Sequence, residues 1–182
     1  MELKDKRVLV VGLERTGLAT ALFCRARGAR VTASEQRPEN AVADVARELR
    51  SAGVTLELGG HQTATFLETD LIVPSPGVPL EIEPLRASRS NGIPIWSEIE
   101  LASRFLRGKL VAITGSNGKT TTTLLTGHIL REAGRRVLVG GNVGTPLVSL
   151  VNPSTDETTT VAEVSSFQLE AIADHFRPDI AA

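Results

Sequence analysis

KLVAITGSNGKTTTT, residues 109–123, is the stretch on which the reading of the fold turns. Leu110-Val111-Ala112-Ile113 has the β-branched, apolar content of a buried strand. It ends in a run of small residues, Thr114-Gly115-Ser116-Asn117-Gly118, and Lys119-Thr120 then opens a helical pattern with Leu124, Leu125, Ile129 and Leu130. A strand that feeds a glycine-rich turn and then a helix is the context of a phosphate-binding loop. The glycines let backbone N–H groups converge without a Cβ in the way, and the helix N-terminus adds partial positive charge there. Lys119 places a cation beside the phosphates, an attraction of about 4 kcal/mol at 4 Å and an effective dielectric of 20. The Thr120 hydroxyl suits a Mg²⁺ ion carried in with the nucleotide. The loop is a shortened variant, because Ile113 stands where the longer pattern has its first glycine. The competing account is a glycine-rich strand-to-helix turn with a chance lysine.

Working outward, the helix from Thr120 to Ala133 stops at Gly134, and Arg136 to Val139 reads as the next strand. Gly140-Gly141-Asn142-Val143-Gly144 follows, then a polar connection, a strand from Thr159 to Val164, and a short helix after Ser165. Asp179 to Ala182 reads as the beginning of another strand. The first hundred residues also alternate. Strands are expected at 7–11, 30–33, 55–58, 70–73 and 93–96, with helices at 18–27, 42–52, 83–90 and 98–106. Such alternation means an α/β protein with parallel sheets covered on both faces. The boundary is placed at Arg107-Gly108, giving a Rossmann-like domain over 1–107 and a P-loop α/β domain over 108–182. About 75 residues fall short of the usual length of such a domain, so an N-terminal portion of a longer protein is expected.

Bulk properties narrow the classes. With 41% apolar and 23% charged residues, the 182-residue chain has globular composition. A net charge of −1 gives no electrostatic reason for nucleic-acid or anionic-membrane partners. No run approaches the length of a membrane span, and the basic residues before Val8 to Leu13 do not lead into a signal-peptide pattern. Cys24 is the single cysteine, which suits a packing role and a reducing, cytoplasmic setting.

Among chemistry-bearing residues, Gly12 to Gly17 forms G-x-E-x-x-G, with Glu14 where a dinucleotide fingerprint has its middle glycine. Glu35 closes the second strand, where an acid would meet a ribose, and Ser75-Pro76-Gly77 falls at the same sheet edge. Glu163 at a strand end near the phosphate loop is placed to hold Mg²⁺, or else is a solvated strand-end acid. Asn142 is a turn residue or a ligand contact. His61, His128 and His175 share no metal-ligand spacing and read as structural or surface groups, and Trp96 reads as core.

Three strings now coincide: TGSNGKTTT at 114–122, GGNVG at 140–144 and EVSSFQLE at 163–170. Together they resemble the Mur ligases, the ATP-dependent amino-acid ligases of peptidoglycan synthesis, and SSFQLE is similar to the D-glutamate-adding branch. VVGLERTG and DLIVPSPGVP in the first domain agree, so the resemblance spans nearly the whole chain. It implies that Gly115, Ser116, Asn117, Gly118, Lys119, Thr120, Thr121 and Thr122 cradle ATP, with Lys119 and Glu163 catalytic. Thr120 and Glu163 would bring Mg²⁺ to the phosphates. The first domain would hold the UDP end of UDP-N-acetylmuramoyl-L-alanine through Arg15, Thr16, Glu35, Arg37, Ser75, Pro76 and Gly77. Asn142 would bind the muramoyl-alanine side. The implied reaction makes an acyl phosphate that the amine of D-glutamate attacks, in a monomeric cytoplasmic enzyme of cell-wall biogenesis. The resemblance also places a later histidine, a modified lysine and a third domain beyond residue 182, so the chain alone is expected not to turn over.

Three rivals stand beside this reading. One is a nicotinamide oxidoreductase built on the Gly12–Gly17 turn, which leaves the phosphate loop unexplained. Another is a non-catalytic UDP-sugar or nucleotide-binding module. The last is a sister ligase that adds another amino acid.

Overall fold

The computed structural model describes residues 2–182 and divides into a first unit ending at Glu98 and a second, Ile99–Ala182. In the first, strands β1 (Arg7–Val11), β2 (Arg30–Glu35), β3 (Thr55–Leu58) and β4 (Leu71–Pro74) form a parallel sheet in the order β3-β2-β1-β4. Helices α1 (Arg15–Ala26), α2 (Ala43–Ser51), α3 (Thr63–Leu67) and α4 (Glu83–Ser90) connect the strands and follow the last of them. Because a parallel sheet is covered on both faces, its central strands read as unbroken apolar runs. Val8 to Val11 and Leu71 to Val73 are buried throughout. Leu9, Val11, Phe66, Ile72 and Leu85 form one cluster, closed at its rim by Val78, Leu80, Ile82, Ile93 and Ile95. Truncating a fully buried ring such as Phe66 to alanine costs about 3–5 kcal/mol in such a setting.

Helix α5 (Glu98–Ser103) opens at the division and is tied to the second unit. Its Glu100, fully buried, accepts the backbone N–H groups of His175 and Phe176 at 3.1 and 2.9 Å and a guanidinium N–H of Arg104 at 2.6 Å. The second sheet has strands β5 (Lys109–Ile113), β6 (Arg136–Gly141), β7 (Thr158–Glu163) and β8 (Ile180–Ala181), parallel and ordered β6-β7-β5-β8. Helix α6 (Lys119–Glu132) follows β5, and the short α7 (Ser166–Leu169) follows β7. The α/β class, the parallel sheets and the Rossmann-like first half agree with the sequence reading.

Three local expectations change, and the facing of α6 is settled. The strand expected at 93–96 reduces to one bridge, Ile72 to Ile95, flanked by the bonds Ile72 N–H to Pro94 O and Trp96 N–H to Ile72 O. Pro94 has no N–H and cannot extend a ladder. Trp96 is half-buried rather than core. Helix α1 begins at Arg15, inside the turn read as Gly12–Gly17, so Gly17 lies on the helix. On α6 the residues facing inward are Thr123, Gly127 and Leu130, while Leu124, Leu125 and Ile129 are more than half exposed.

Candidate functional site

Two sites take shape, one in each unit. In the second, the turn after β5 needs two glycines in conformations that side chains avoid, Gly115 at φ +140° and Gly118 at φ +75°. Gly118 caps α6, so the first N–H groups of that helix open toward the turn. Lys119 Nζ reaches back across the loop to the Gly115 carbonyl, at 2.8 Å. Ser116, Asn117, Thr120, Thr121 and Thr122 are exposed around it.

Glu163, at the last position of β7, is 2% exposed yet receives two side-chain donors. Thr120 Oγ1 donates to its Oε2 at 2.7 Å, and Asn142 Nδ2 donates to its Oε1 at 3.0 Å. The Asn142 backbone N–H adds a third bond, to the Glu163 carbonyl at 2.8 Å. The glycines before Asn142 make this possible. A Cβ on Gly141, which sits at φ +106°, would lie 2.3 Å from the Glu163 carbonyl oxygen, and one on Gly140 would lie 2.3 Å from that of Thr145. Beyond Glu163 the chain is turned by a capping box. Ser165 Oγ accepts the Gln168 N–H, and Gln168 Oε1 accepts the Ser165 N–H. The S-x-x-Q signature was open to reading from sequence alone.

The strings 114–122, 140–144 and 163–170 therefore meet at one carboxylate. The donor set fits Mg²⁺: a hydroxyl and a carboxylate give hard oxygen ligands, and this ion takes most of its remaining ligands from phosphates and water. Among the described residues no group of three or more His, Cys, Asp or Glu side chains could hold a metal by itself.

In the first unit, the carboxyl ends of β1, β2 and β4 frame a cleft of about 220 Å³ lined by Gly12, Glu14, Glu35, Arg37, His61 and Ser75, among others. Gly12 stands at φ +86°, and Gly17 packs so tightly that a Cβ there would lie 1.8 Å from the Gly12 carbonyl oxygen. Ser75 Oγ donates to that same carbonyl at 2.9 Å, which ties the β4 loop to the β1 turn. Burial would push the Glu35 carboxyl up, but hydrogen bonds from Arg37 and the Leu13 N–H outweigh it and hold it at about 2.

Of the residues expected to bind substrate, Glu35, Arg37, Ser75 and Gly77 line this cleft. Arg15 and Thr16 lie on the first turn of α1, and Pro76 lies between two lining residues, but none of the three forms the wall. Asn142 is built into the phosphate-loop site through Glu163. His61, read from sequence as a structural or surface group, forms part of the cleft wall and also bonds Ser34. His128 and His175 are exposed.

A glycine-rich turn beside a buried carboxylate in one unit, and a cleft at the carboxyl edge of a Rossmann-like parallel sheet in the other, define an α/β protein with two candidate sites. Residues 6–97 match the family described as Mur ligase MurD-like, N-terminal domain, and residues 113–182 match the Mur ligase middle domain. The chain belongs to the Mur ligase family. It is 55% identical over 181 residues to the UDP-N-acetylmuramoylalanine–D-glutamate ligase of Acidobacterium capsulatum, covering all of this chain and 39% of that protein. It is 50% identical over 182 residues to the ligase of the same name from Koribacter versatilis, again covering all of this chain and 40% of that one. The chain thus spans about two fifths of the length of the curated relatives it matches.

Solved structures agree on the fold. A murein peptide ligase from Psychrobacter arcticus matches with a TM-score of 0.55 at 22% identity, over 97% of this chain and 42% of that one. A pseudomurein peptide ligase type C from Methanothermus fervidus matches with a TM-score of 0.51 at 25% identity, over 89% of this chain and 33% of that one.

Proposed function

We propose that this chain supplies the ATP site and the UDP-sugar site of an ADP-forming ligase. That enzyme joins D-glutamate to UDP-N-acetylmuramoyl-L-alanine in peptidoglycan precursor synthesis. The observation that carries the reading is the convergence of Thr120 and Asn142 on Glu163 at the mouth of the phosphate loop. The names of relatives that are half identical over the whole chain support the choice of substrates.

In this reading the α- and β-phosphates of ATP lie against the backbone N–H groups of residues 115–120. Lys119 exchanges its bond to the Gly115 carbonyl for the β- and γ-phosphates. Thr120 and Glu163 would hold Mg²⁺, which when bound would supply neutralisation of phosphate charge. The alanyl carboxylate oxygen attacks the γ-phosphorus, the bond to the β–γ bridging oxygen breaks, and ADP leaves. The amine of D-glutamate then attacks the acyl carbon, expels inorganic phosphate and gives up its proton to form the amide. Positioning and charge neutralisation supply the rate, as in other phosphoryl transfers. The Glu35 cleft, with Arg37 and the Ser75-Pro76-Gly77 loop, takes the UDP end. The reading carries with it a cytoplasmic monomer, and the lone buried thiol of Cys24 suits a reducing compartment.

Calorimetric titration of the 182-residue chain with Mg-ATP and, separately, with UDP-N-acetylmuramoyl-L-alanine tests the reading. Both are expected to bind, with Lys119→Ala weakening only the first and Arg37→Ala only the second. Binding of neither ligand to the wild-type chain overturns it.

A further inference from the structure

The sequence leaves Asn142 as a turn residue or a ligand contact, and the fold gives it a further task. Glu163 closes β7 in a row across three strand ends, paired with Gly141 of β6 on one side and with Ile113 of β5 on the other. Asn142 is the first residue past that row, and it grips Glu163 twice. Its backbone N–H donates to the Glu163 carbonyl at 2.8 Å, and its Nδ2 donates to Oε1 at 3.0 Å. An ionised carboxylate only accepts, so the side-chain amide must present its nitrogen there. The loop that carries Asn142 is itself fastened, by a bond from the Gly141 N–H to the Thr145 carbonyl at 2.8 Å.

The carboxylate gains from such a grip. A glutamate side chain has several torsions to order, and a turn about any of them would carry Oε2 away from Thr120. Held at Oε1 by Asn142 and at Oε2 by Thr120, the group has both ends fixed. The Glu35 carboxylate of the first unit spends about four lone-pair sites on Leu13 and Arg37, whereas Glu163 spends only two of about four on side chains. It keeps acceptor capacity for a cation or for water bound to one. Thr120 has a single hydroxyl proton, and giving it to Oε2 leaves the lone pairs of that oxygen for the same cation. Fixing the carboxylate therefore fixes the proton as well.

We infer that Asn142 is a positioning residue: its side-chain amide sets the Glu163 carboxylate, and through it the Thr120 hydroxyl, in the arrangement that receives a divalent cation, before the cation arrives. The inference rests on the proposed Mg-ATP site. Asn142 brings no charge and does not ligate the cation; it lowers the ordering cost that binding would otherwise carry. This task is independent of any contact Asn142 makes with the muramoyl-alanine side.

The test is calorimetric titration of the full 182-residue chain with ATP alone and with ATP and Mg²⁺, the ratio of the two constants being the gain that Mg²⁺ supplies. Asn142→Ala is expected to cut the gain by about tenfold or more, the usual effect of losing the group behind a metal ligand. Asn142→His can again offer an N–H at that reach, and is expected to recover most of it. In a Glu163→Ala background, Asn142→Ala is expected to alter the gain by less than about twofold, because the residue acts through that carboxylate. A general loss of fold predicts neither the rescue nor the coupling. A full gain in Asn142→Ala, or losses that multiply in the double variant, overturns the inference while the Mg-ATP reading stands. If Mg²⁺ gives the wild type no gain, the reading of the site falls and takes the inference with it. A second measurement needs no variant. In ¹⁵N-asparagine-labelled wild type without metal, the two Asn142 side-chain amide protons are expected to be widely separated and slow to exchange. A narrow, fast-exchanging pair overturns the inference.

Discussion

Thr120 Oγ1 and Glu163 Oε2 are bonded at 2.7 Å although 43 residues separate them in the chain. One opens the helix after the phosphate loop, and the other closes a strand of the same sheet. The register that pairs Ile113 with Glu163 brings the two ends to one point.

This pair sets the first prediction. Glu163→Gln keeps the size and the Thr120 contact but removes the charge. Metal-free ATP is expected to bind it within about threefold of wild type, while the strengthening produced by Mg²⁺ falls by about tenfold to a hundredfold. Calorimetry with and without Mg²⁺ measures the two terms.

Lys119 carries the second. With its ammonium bonded to Gly115, the loop holds a cation ready to turn onto phosphate. Lys119→Ala is expected to weaken ATP by about tenfold to a hundredfold and AMP by much less, since charge-assisted phosphate bonds are worth about 1.5–3 kcal/mol. A fluorescent ATP analogue displaced by each nucleotide reads the difference, and equal losses for AMP would contradict the role.

The third concerns acid. Glu35 is held at about 2 in the folded chain against an ordinary 4.5. A lowered carboxyl stabilises the fold above its unfolded value, and that contribution drains away as pH drops from about 4.5 toward 2. The first unit is expected to lose about 1–3 kcal/mol over this window from Glu35. Glu35→Gln should flatten that part of the dependence in melts followed from pH 7 to pH 3, and an unchanged slope would count against it.

Glu100 acts likewise in the second unit. Burial pushes its carboxyl up, but the Phe176 N–H, Arg104 and further backbone donors outweigh this and leave it below the ordinary range. Glu100→Ala strips the acceptor from the His175 and Phe176 N–H groups and from Arg104. A loss of about 3–5 kcal/mol is expected, as when one partner of a buried ion pair is removed. Urea unfolding should show the midpoint shift, with hydrogen exchange fastest at residues 174–177.

Gly141→Ala tests how Glu163 is held. The new Cβ would meet the Glu163 carbonyl oxygen at 2.3 Å, in a backbone conformation at φ +106°. Both effects act together, and a cost above about 2 kcal/mol is expected. Because Asn142 is the next residue, Mg-ATP affinity should fall as well, which a thermal-shift titration would display.

Much of this was legible in the chain. β1 and β5 declare themselves because parallel strands buried on both faces leave unbroken apolar runs, and each glycine turn follows its strand directly. Glu163 was legible as a strand-end acid, though its bond to Asn142 depends on a β6–β7 register that local sequence does not fix. Helix α3 was missed, since five residues with one buried ring show no periodicity. Which face of α6 turns inward was not legible in its apolar pattern, for a physical reason. Gly127 brings that helix so near β6 that a Cβ would stand 2.5 Å from Val139 Cγ2, so small residues face the sheet and the leucines face out. His61 gave no signal because its partner, Ser34, lies on β2, far away in the chain.

The contact of Gly17 with the Gly12 carbonyl has a consequence for how base preference could drift over generations. With helix and turn wedged backbone to backbone, the floor of the cleft tolerates no new side chain at either position. Innovation there is confined to the exposed rim, where Gln36 can be exchanged without disturbing what lies beneath, whereas Arg37 is tied to the buried Glu35 carboxylate. A saturation library should therefore return altered nucleotide choice from the rim and dead clones from the floor.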